Sequence, residues 1–184
     1  MSKKYKIRDQ DQLYFITCTV VGWVDVFTRR QYCELLIESL QHCQREKGLV
    51  IGAWCIMSNH IHLIVSRNKA CKLEEIVRDF RKFTSVQLCK AIEENREESR
   101  QAWMLAYFKQ AALASKKHTK YMFWQNEYHP IELSTNAMMD QKLAYIHDNP
   151  VKAGIVDSAA AYTYSSAKDY YAGEQGLLEV AFIT

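Results

Sequence analysis

The sequence predicts an α+β fold, a ferredoxin-like split βαβ sandwich whose antiparallel central sheet carries helices mainly on one face. Three observations lead there. Hydrophobic patterns run in the order strand, helix, strand, strand, helix, excursion, strand, helix. The second and third strands are joined by only Met57-Ser58-Asn59, a length that makes them an antiparallel hairpin. At 184 residues and 48% hydrophobic composition, the chain has enough apolar surface for one substantial core.

Each element has its own signal. Leu13 to Val21 is dense in β-branched and aromatic residues, which favour a pleated, half-buried surface, and Gly22 ends it. From Arg30 to Lys47, Leu35, Leu36, Leu40 and Cys43 recur at helical spacing, with Gly48 as C-cap. Leu49 to Ile56 and His60 to Ser66 form the hairpin arms, and the second of these arms is expected to be central. Lys72 to Lys90 is a helix with Leu73, Ile76, Val77, Phe80, Phe83, Val86 and Leu88 on its apolar positions, and Arg78, Arg81 and Lys82 on another face.

An acidic run, Glu93 to Glu98, leads into a helix over Trp103 to Ala114 and a basic loop over Ser115 to Lys120, so residues 93–120 read as an inserted excursion. Trp124 to Leu133 is expected to be the fourth strand, with Pro130 near an edge. Ser134-Thr135-Asn136 supplies capping side chains for a last helix from about Ala137 towards Asp148, closed by Asn149-Pro150. Beyond Gly154, from about residue 155, the chain reads as irregular. The whole of 1–184 is expected to be a single domain, without repeats or linkers.

Composition narrows the classes. A formal charge of +3 is too small to argue for nucleic acid by itself. The cations cluster, however: Lys3, Lys4, Lys6 and Arg8 at the start, and Lys109, Lys116, Lys117 and Lys120 in a stretch without acids. Cys18, Cys33, Cys43, Cys55, Cys71 and Cys89 form no Cys-x-x-Cys pair, so a structural zinc site is not expected and the thiols read as small hydrophobes. No run approaches the roughly 20 apolar residues of a membrane span, and the basic start is not followed by a signal-peptide core. The expectation is a soluble, reduced, cytoplasmic protein with no membrane partner.

The candidate site begins at His60-Ile61-His62. On a strand, successive side chains alternate between faces, so the two imidazoles share one face while Ile61 and Leu63 take the core side. Two same-face imidazoles can hold one divalent ion, which acts as a Lewis acid at phosphoryl or carbonyl centres. The spacing alone fits an inert polar strand face equally well. On the last helix, Tyr145 and Asn149 stand four residues apart, which puts the phenol and the amide on one side.

His-hydrophobe-His in a strand, one tyrosine on a late helix, Trp124-Gln125, and Tyr145-Ile146-His147-Asp148-Asn149-Pro150-Val151-Lys152-Ala153-Gly154 together resemble the single-tyrosine HUH transposases, and most closely the REP-associated tyrosine transposases. The resemblance runs from the first strand to about Gly154. It implies a metal-dependent endonuclease and strand transferase acting on single-stranded DNA at repeat hairpins through a 5′-phosphotyrosine intermediate. It implies His60, His62 and Asn149 as ligands of Mg²⁺ or Mn²⁺, and Tyr145 as nucleophile. The chain departs from the pattern in two places, with Asn149 where mobile relatives usually have glutamine and Ser58 where proline is frequent.

Arg78, Arg81, Lys82, Lys116 and Lys117 are the candidate DNA contacts. His147 and His129 read as surface or structural. A homodimer sharing its tyrosine helices and a chain that completes its own site both stay open. Two other readings compete: a catalytically idle DNA-hairpin-binding protein, and a metallohydrolase of small substrates, which would have no use for the tyrosine.

Overall fold

The computed structural model describes residues 7–68, 71–115 and 120–183, so Lys3, Lys4, Lys6, Lys116 and Lys117 lie outside the described residues. The elements are β1 (Tyr14–Thr19), α1 (Arg30–His42), β2 (Leu49–Ile56), β3 (His60–Arg67), α2 (Leu73–Glu94), α3 (Gln101–Ser115), β4 (Ile131–Glu132), α4 (Asn136–Lys152) and α5 (Ala167–Tyr171). They form the expected α+β sandwich. The sheet order is β2-β3-β1-β4 with antiparallel neighbours, and the histidine strand β3 is central.

One face of the sheet buries Tyr14, Ile16, Cys18, Ile61, Leu63 and Val65 against α1, α2 and α3 through Leu36, Leu40, Ile76, Phe80, Leu88, Met104 and Phe108. Removing such side chains from water contributes roughly 1.5–3 kcal/mol each. The opposite face is smaller. Phe15, Ala53, Cys55, Met57 and Ile64 meet Leu133 and Ile146, so α4 covers this face.

A register shift in β2 between Ile51 and Ala53 lets both faces be filled. The extra residue at Gly52 reverses the alternation, so that Ile51, Trp54 and Ile56 share the large core while Ala53 and Cys55 turn to the other face. Without that bulge the Trp54 indole would point to the histidine side.

Several local readings are corrected. The first helix gives way at Cys43–Lys47 to a π-helical turn, ending at Gly48 in the left-handed region at φ 72°. In α2, Phe83 and Val86 are exposed and Thr84 is buried in their place, because 73, 76, 77, 80, 84 and 88 is the run that keeps helical phase. Thr84 accepts from the Trp124 indole N–H at 3.0 Å, which settles the one polar atom of a buried ring. The fourth strand shrinks to Ile131–Glu132, with only an isolated bridge from Trp124 to Val20. The Trp124–Leu133 stretch carries too many polar residues and a proline to sustain a ladder.

The last helix does not close at Asn149. It runs through Pro150 to Lys152, because a proline in the final turn forfeits only one backbone bond. Gly154 at φ 68° then ends it: Gly154 N–H donates to Val151 O and Ile155 N–H to Pro150 O, a Schellman closure. Thr135 caps the other end by accepting from Met138 N–H at 3.2 Å. The stretch read as irregular holds α5, and Ser165 and Ser166 dock it on β2. Among the described residues, no helix is long and apolar enough to cross a membrane.

Candidate functional site

His60 and His62 lie on the face covered by α4, opposite the main core. Their Nε2 atoms stand 3.0 Å apart. Each ring is held from behind. His60 Nδ1 lies 2.6 Å from Asn59 Oδ1, and the Asn59 amide nitrogen donates to Trp23 O at 3.2 Å. Because that bond fixes the amide orientation, Oδ1 can only accept, so His60 Nδ1 carries the hydrogen and Nε2 presents a lone pair. His62 Nδ1 lies 2.8 Å from Thr17 Oγ1, its cross-strand neighbour on β1.

His62 thus has two consistent states. With the Thr17 hydroxyl donating to Nδ1, the His62 Nε2–H donates to His60. With Nδ1–H donating to Thr17, both Nε2 lone pairs converge, and only a cation makes that favourable. Cis ligands about 2.1 Å from an octahedral ion stand about 3.0 Å apart, so the pair fits a divalent ion without rearrangement. Burial pushes His60 down to about 4. His62 is pushed to about 3, first by burial and then by His60 and the Lys142 charge. Both imidazoles are therefore neutral near pH 7, with no proton to compete for the lone pairs.

Tyr145 on α4 completes the cluster from the same chain. Its ring centroid lies 5.1 Å from that of His62 and 5.9 Å from that of Phe15, edge-on to both, and the residue is 42% exposed. Phe15 stacks on His62 at 5.4 Å. Lys142, one turn before Tyr145, places its Nζ 4.7 Å from the Phe15 ring centre and 5.3 Å from that of Tyr145. The phenol thus stands between an imidazole pair and an ammonium, facing solvent.

Asn149 lies one turn beyond Tyr145, and its side-chain nitrogen donates to Tyr145 O at 2.6 Å, which leaves Oδ1 as the free acceptor. Among the described residues, no group of three or more His, Cys, Asp or Glu is placed to hold a metal. Cys55, beside His62 in the ladder, is no substitute, because burial pushes its thiol up to about 12.

The candidate DNA contacts on α2 are not brought to this cluster. α2 packs on the other face of the sheet, so Arg78, Arg81 and Lys82 lie across it from the histidines. Arg81 is committed to the carbonyls of Gln125 and Asn126 and packs over Tyr128, Arg78 pairs with Asp79, and Lys82 is exposed. His147 is buried and structural, with Nε2 2.8 Å from Ser166 Oγ and Nδ1 3.1 Å from Tyr171 OH, which ties α4 to α5. Sequence reasoning passed over Lys142, Thr17 and Asn59. Asn59 had a readable signal, being adjacent to His60, and Lys142 had one in its helical spacing from Tyr145; Thr17 depends on strand register.

His147 also predicts a pH effect. Burial pushes it from 6.5 to about 4. Between those values the unfolded chain binds a proton that the folded chain refuses, so stability falls as pH drops from about 6.5 towards 4. At about 1.36 kcal/mol per unit, this residue alone accounts for a loss on the order of 3 kcal/mol, and His60 and His62 act in the same direction. Denaturant titrations with chelator at pH 7 and pH 4.5 check this. Equal unfolding free energies would contradict it.

In fold, the chain is an open four-stranded α+β sandwich with a histidine pair on its sheet and a tyrosine on the helix facing it, an architecture met among transposases. The IS200-like transposase family model matches residues 14–112, and the chain belongs to that family. The match includes both histidines and stops before α4. A REP-associated tyrosine transposase solved bound to a REP hairpin is similar over 100% of this chain and 94% of its own, at 17% identity and a TM-score of 0.66, and shares the fold. A candidate transposase from Deinococcus radiodurans overlaps 80% of this chain and 97% of its own, at 14% identity and a TM-score of 0.47. No curated protein matches the sequence.

Proposed function

We propose that this chain is a metal-dependent single-stranded DNA endonuclease and strand transferase that acts at repeat hairpins through a 5′-phosphotyrosine link, as a member of the REP-associated branch. The observation that carries this reading is the meeting of Tyr145 with the His60–His62 pair in one chain, with the ring centroids of Tyr145 and His62 5.1 Å apart. A metallohydrolase of small molecules has no role for that tyrosine. DNA held by the hairpin-bound relative supports hairpin DNA as the partner.

His60 and His62 would hold a Mg²⁺ or Mn²⁺ ion through Nε2, and Asn149 Oδ1 would be the third protein ligand. When bound, the ion polarises a scissile phosphate oxygen as a Lewis acid. Asn59 keeps His60 in the tautomer that presents its Nε2 lone pair, and Thr17 can accept from His62 Nδ1–H when an ion takes the His62 Nε2 lone pair. The Tyr145 oxygen attacks the phosphorus, the new P–O bond forms as the bond to the 3′ oxygen breaks, and the phenol proton leaves while the 3′ oxygen gains one. The reverse attack by a 3′-hydroxyl rejoins a strand without an energy source. The Lys142 ammonium, 5.3 Å from the Tyr145 ring centre, holds that ring in place and adds positive charge beside the attacked phosphate.

This role for Lys142 predicts that Lys142→Met slows cleavage roughly 10- to 100-fold, within the usual range for positioned charge effects. Lys142→Arg should restore most of the rate. An unchanged cleavage rate in Lys142→Met would remove the assignment.

A second reading, a hairpin binder without activity, draws on Asn149, whose amide is shorter than the usual glutamine and already bonded to its own helix. The experiment that separates the two uses Mn²⁺ and labelled single-stranded oligonucleotides with a repeat hairpin, resolved on a denaturing gel. A metal-dependent protein–DNA adduct supports the transferase. Specific binding without an adduct supports the binder.

A further inference from the structure

Beside His60, the corner between β1 and α1 carries an unusual residue. Trp23 holds φ at 58°, a left-handed conformation that bulky L-residues rarely adopt, directly after Gly22 at 64°. Its side chain is not buried as compensation: the residue is 61% exposed, and its ring lies edge-on to His60 at 6.0 Å. The same Asn59 amide that holds the His60 ring through Oδ1 donates through its nitrogen to the Trp23 carbonyl. One side chain thus ties the Trp23 backbone to the His60 ring, while the indole itself stays open to solvent.

The aromatic surface continues outward. A side chain at Gly22 would land on the Tyr107 ring, so Tyr107 of α3 lies directly over that corner. Tyr107 is 37% exposed, and it packs at 6.1 Å and 31° against Trp103, itself 54% exposed. Trp103 and Tyr107 thus form an exposed ring pair over Gly22, the residue before Trp23, and Trp23 in turn adjoins His60. The acids nearby are neutralised: Asp25 pairs with Arg100 at 2.6 Å, and Glu98 with Arg29 at 2.6 Å and Arg100 at 3.2 Å. α3 contains no acidic residue and carries Lys109. A surface of open π-faces without net negative charge suits stacked bases on an anionic strand.

We propose that Trp23, extended by Tyr107 and Trp103, is a stacking platform for unpaired bases of the DNA strand that enters the histidine–tyrosine site. The inference rests on the transferase reading for its ligand, and assigns part of the substrate grip to α3. Stacking tolerates any base, so the platform orients the strand without fixing its sequence.

The test is binding without chemistry. In the Tyr145→Phe background with chelator, anisotropy compares a blunt hairpin with the same hairpin bearing a four-nucleotide unpaired tail at either end. One tail should tighten binding, and Trp23→Leu should abolish that gain, a loss of roughly 5- to 100-fold per stacked base. Trp23→Phe should keep most of the gain and serves as the folded control, and Trp103→Leu should lose a smaller part. Blunt-hairpin affinity should be the same in all variants. A tail of abasic sites should give no gain with the unaltered platform. A gain that survives in Trp23→Leu, or that abasic tails match, would overturn the proposal. The transferase reading is judged separately, by adduct formation in the protein with Tyr145 present.

Discussion

Tyr145→Phe is expected to bind hairpin DNA as tightly as the unaltered protein and to form no covalent adduct with it. The substitution removes one oxygen from a 42%-exposed ring, so the ring contacts to His62 and Phe15 persist and stability should shift by no more than about 0.5 kcal/mol. Chemistry is another matter. No other atom of that side chain can attack phosphorus, so cleavage should fall to the background of the gel. An adduct of undiminished yield in Tyr145→Phe would move the nucleophile to another tyrosine, and unfolding of the variant is excluded by an unchanged melting temperature.

His60→Ala and His62→Ala carry the second large effect. Each removes one of two Nε2 donors 3.0 Å apart, and a lone imidazole holds a divalent ion poorly. Losing about 4 kcal/mol of Lewis-acid stabilisation lowers the rate on the order of 10³-fold. Hairpin affinity should change little, because phosphate contacts elsewhere supply most of it. The supporting residues should give a graded response, with Asn59→Ala and Thr17→Val losing about 10- to 100-fold in metal affinity. Mn²⁺-induced thermal stabilisation reads the ion directly, apart from activity. Equal Mn²⁺ stabilisation in His60→Ala, His62→Ala and the unaltered chain would contradict the ligand assignment.

The sheet was largely legible because burial on two faces leaves a strong period-two signal. Leu49–Ile56 is bounded as its composition indicates, and β3 begins at His60 as expected. The same alternation put both histidines on one face. What the alternation does not reveal is the bulge at Gly52, where one extra residue reverses the parity and frees the histidine side of the Trp54 ring. Trp124 to Leu133 misled because aromatic residues mark burial as well as strands; Trp124 is buried by its contact with Thr84 across α2, not by sheet pairing. Asn149-Pro150 misled because proline interrupts a helix interior but is tolerated where only one turn remains.

For the candidate site, residue types were readable and relative placement was not. That Tyr145 meets His62 within one chain depends on α4 crossing the sheet face opposite α1 and α2, which rests on Ile146 filling the small core with Phe15 and Ile64. That the α2 cations stand on the other side follows from the same division of faces. The spacing of Lys142 from Tyr145 was readable, but the placing of its ammonium over both the Phe15 and Tyr145 rings depends on how α4 crosses the sheet. The exposure of Trp23 beside His60 depends on the left-handed backbone at two consecutive residues, which the sequence does not signal.

Tyr145, set beside the His60–His62 pair, is expected to become linked to DNA. The direct measurement is to trap the adduct formed with Mn²⁺ and a hairpin oligonucleotide, digest it with protease and nuclease, and locate the nucleotide-bearing residue by mass spectrometry. The expected result is a 5′-phosphodiester on Tyr145 that is absent when chelator replaces Mn²⁺. A nucleotide found on Tyr121, Tyr128 or any other side chain, or formed equally well with chelator, would contradict the account.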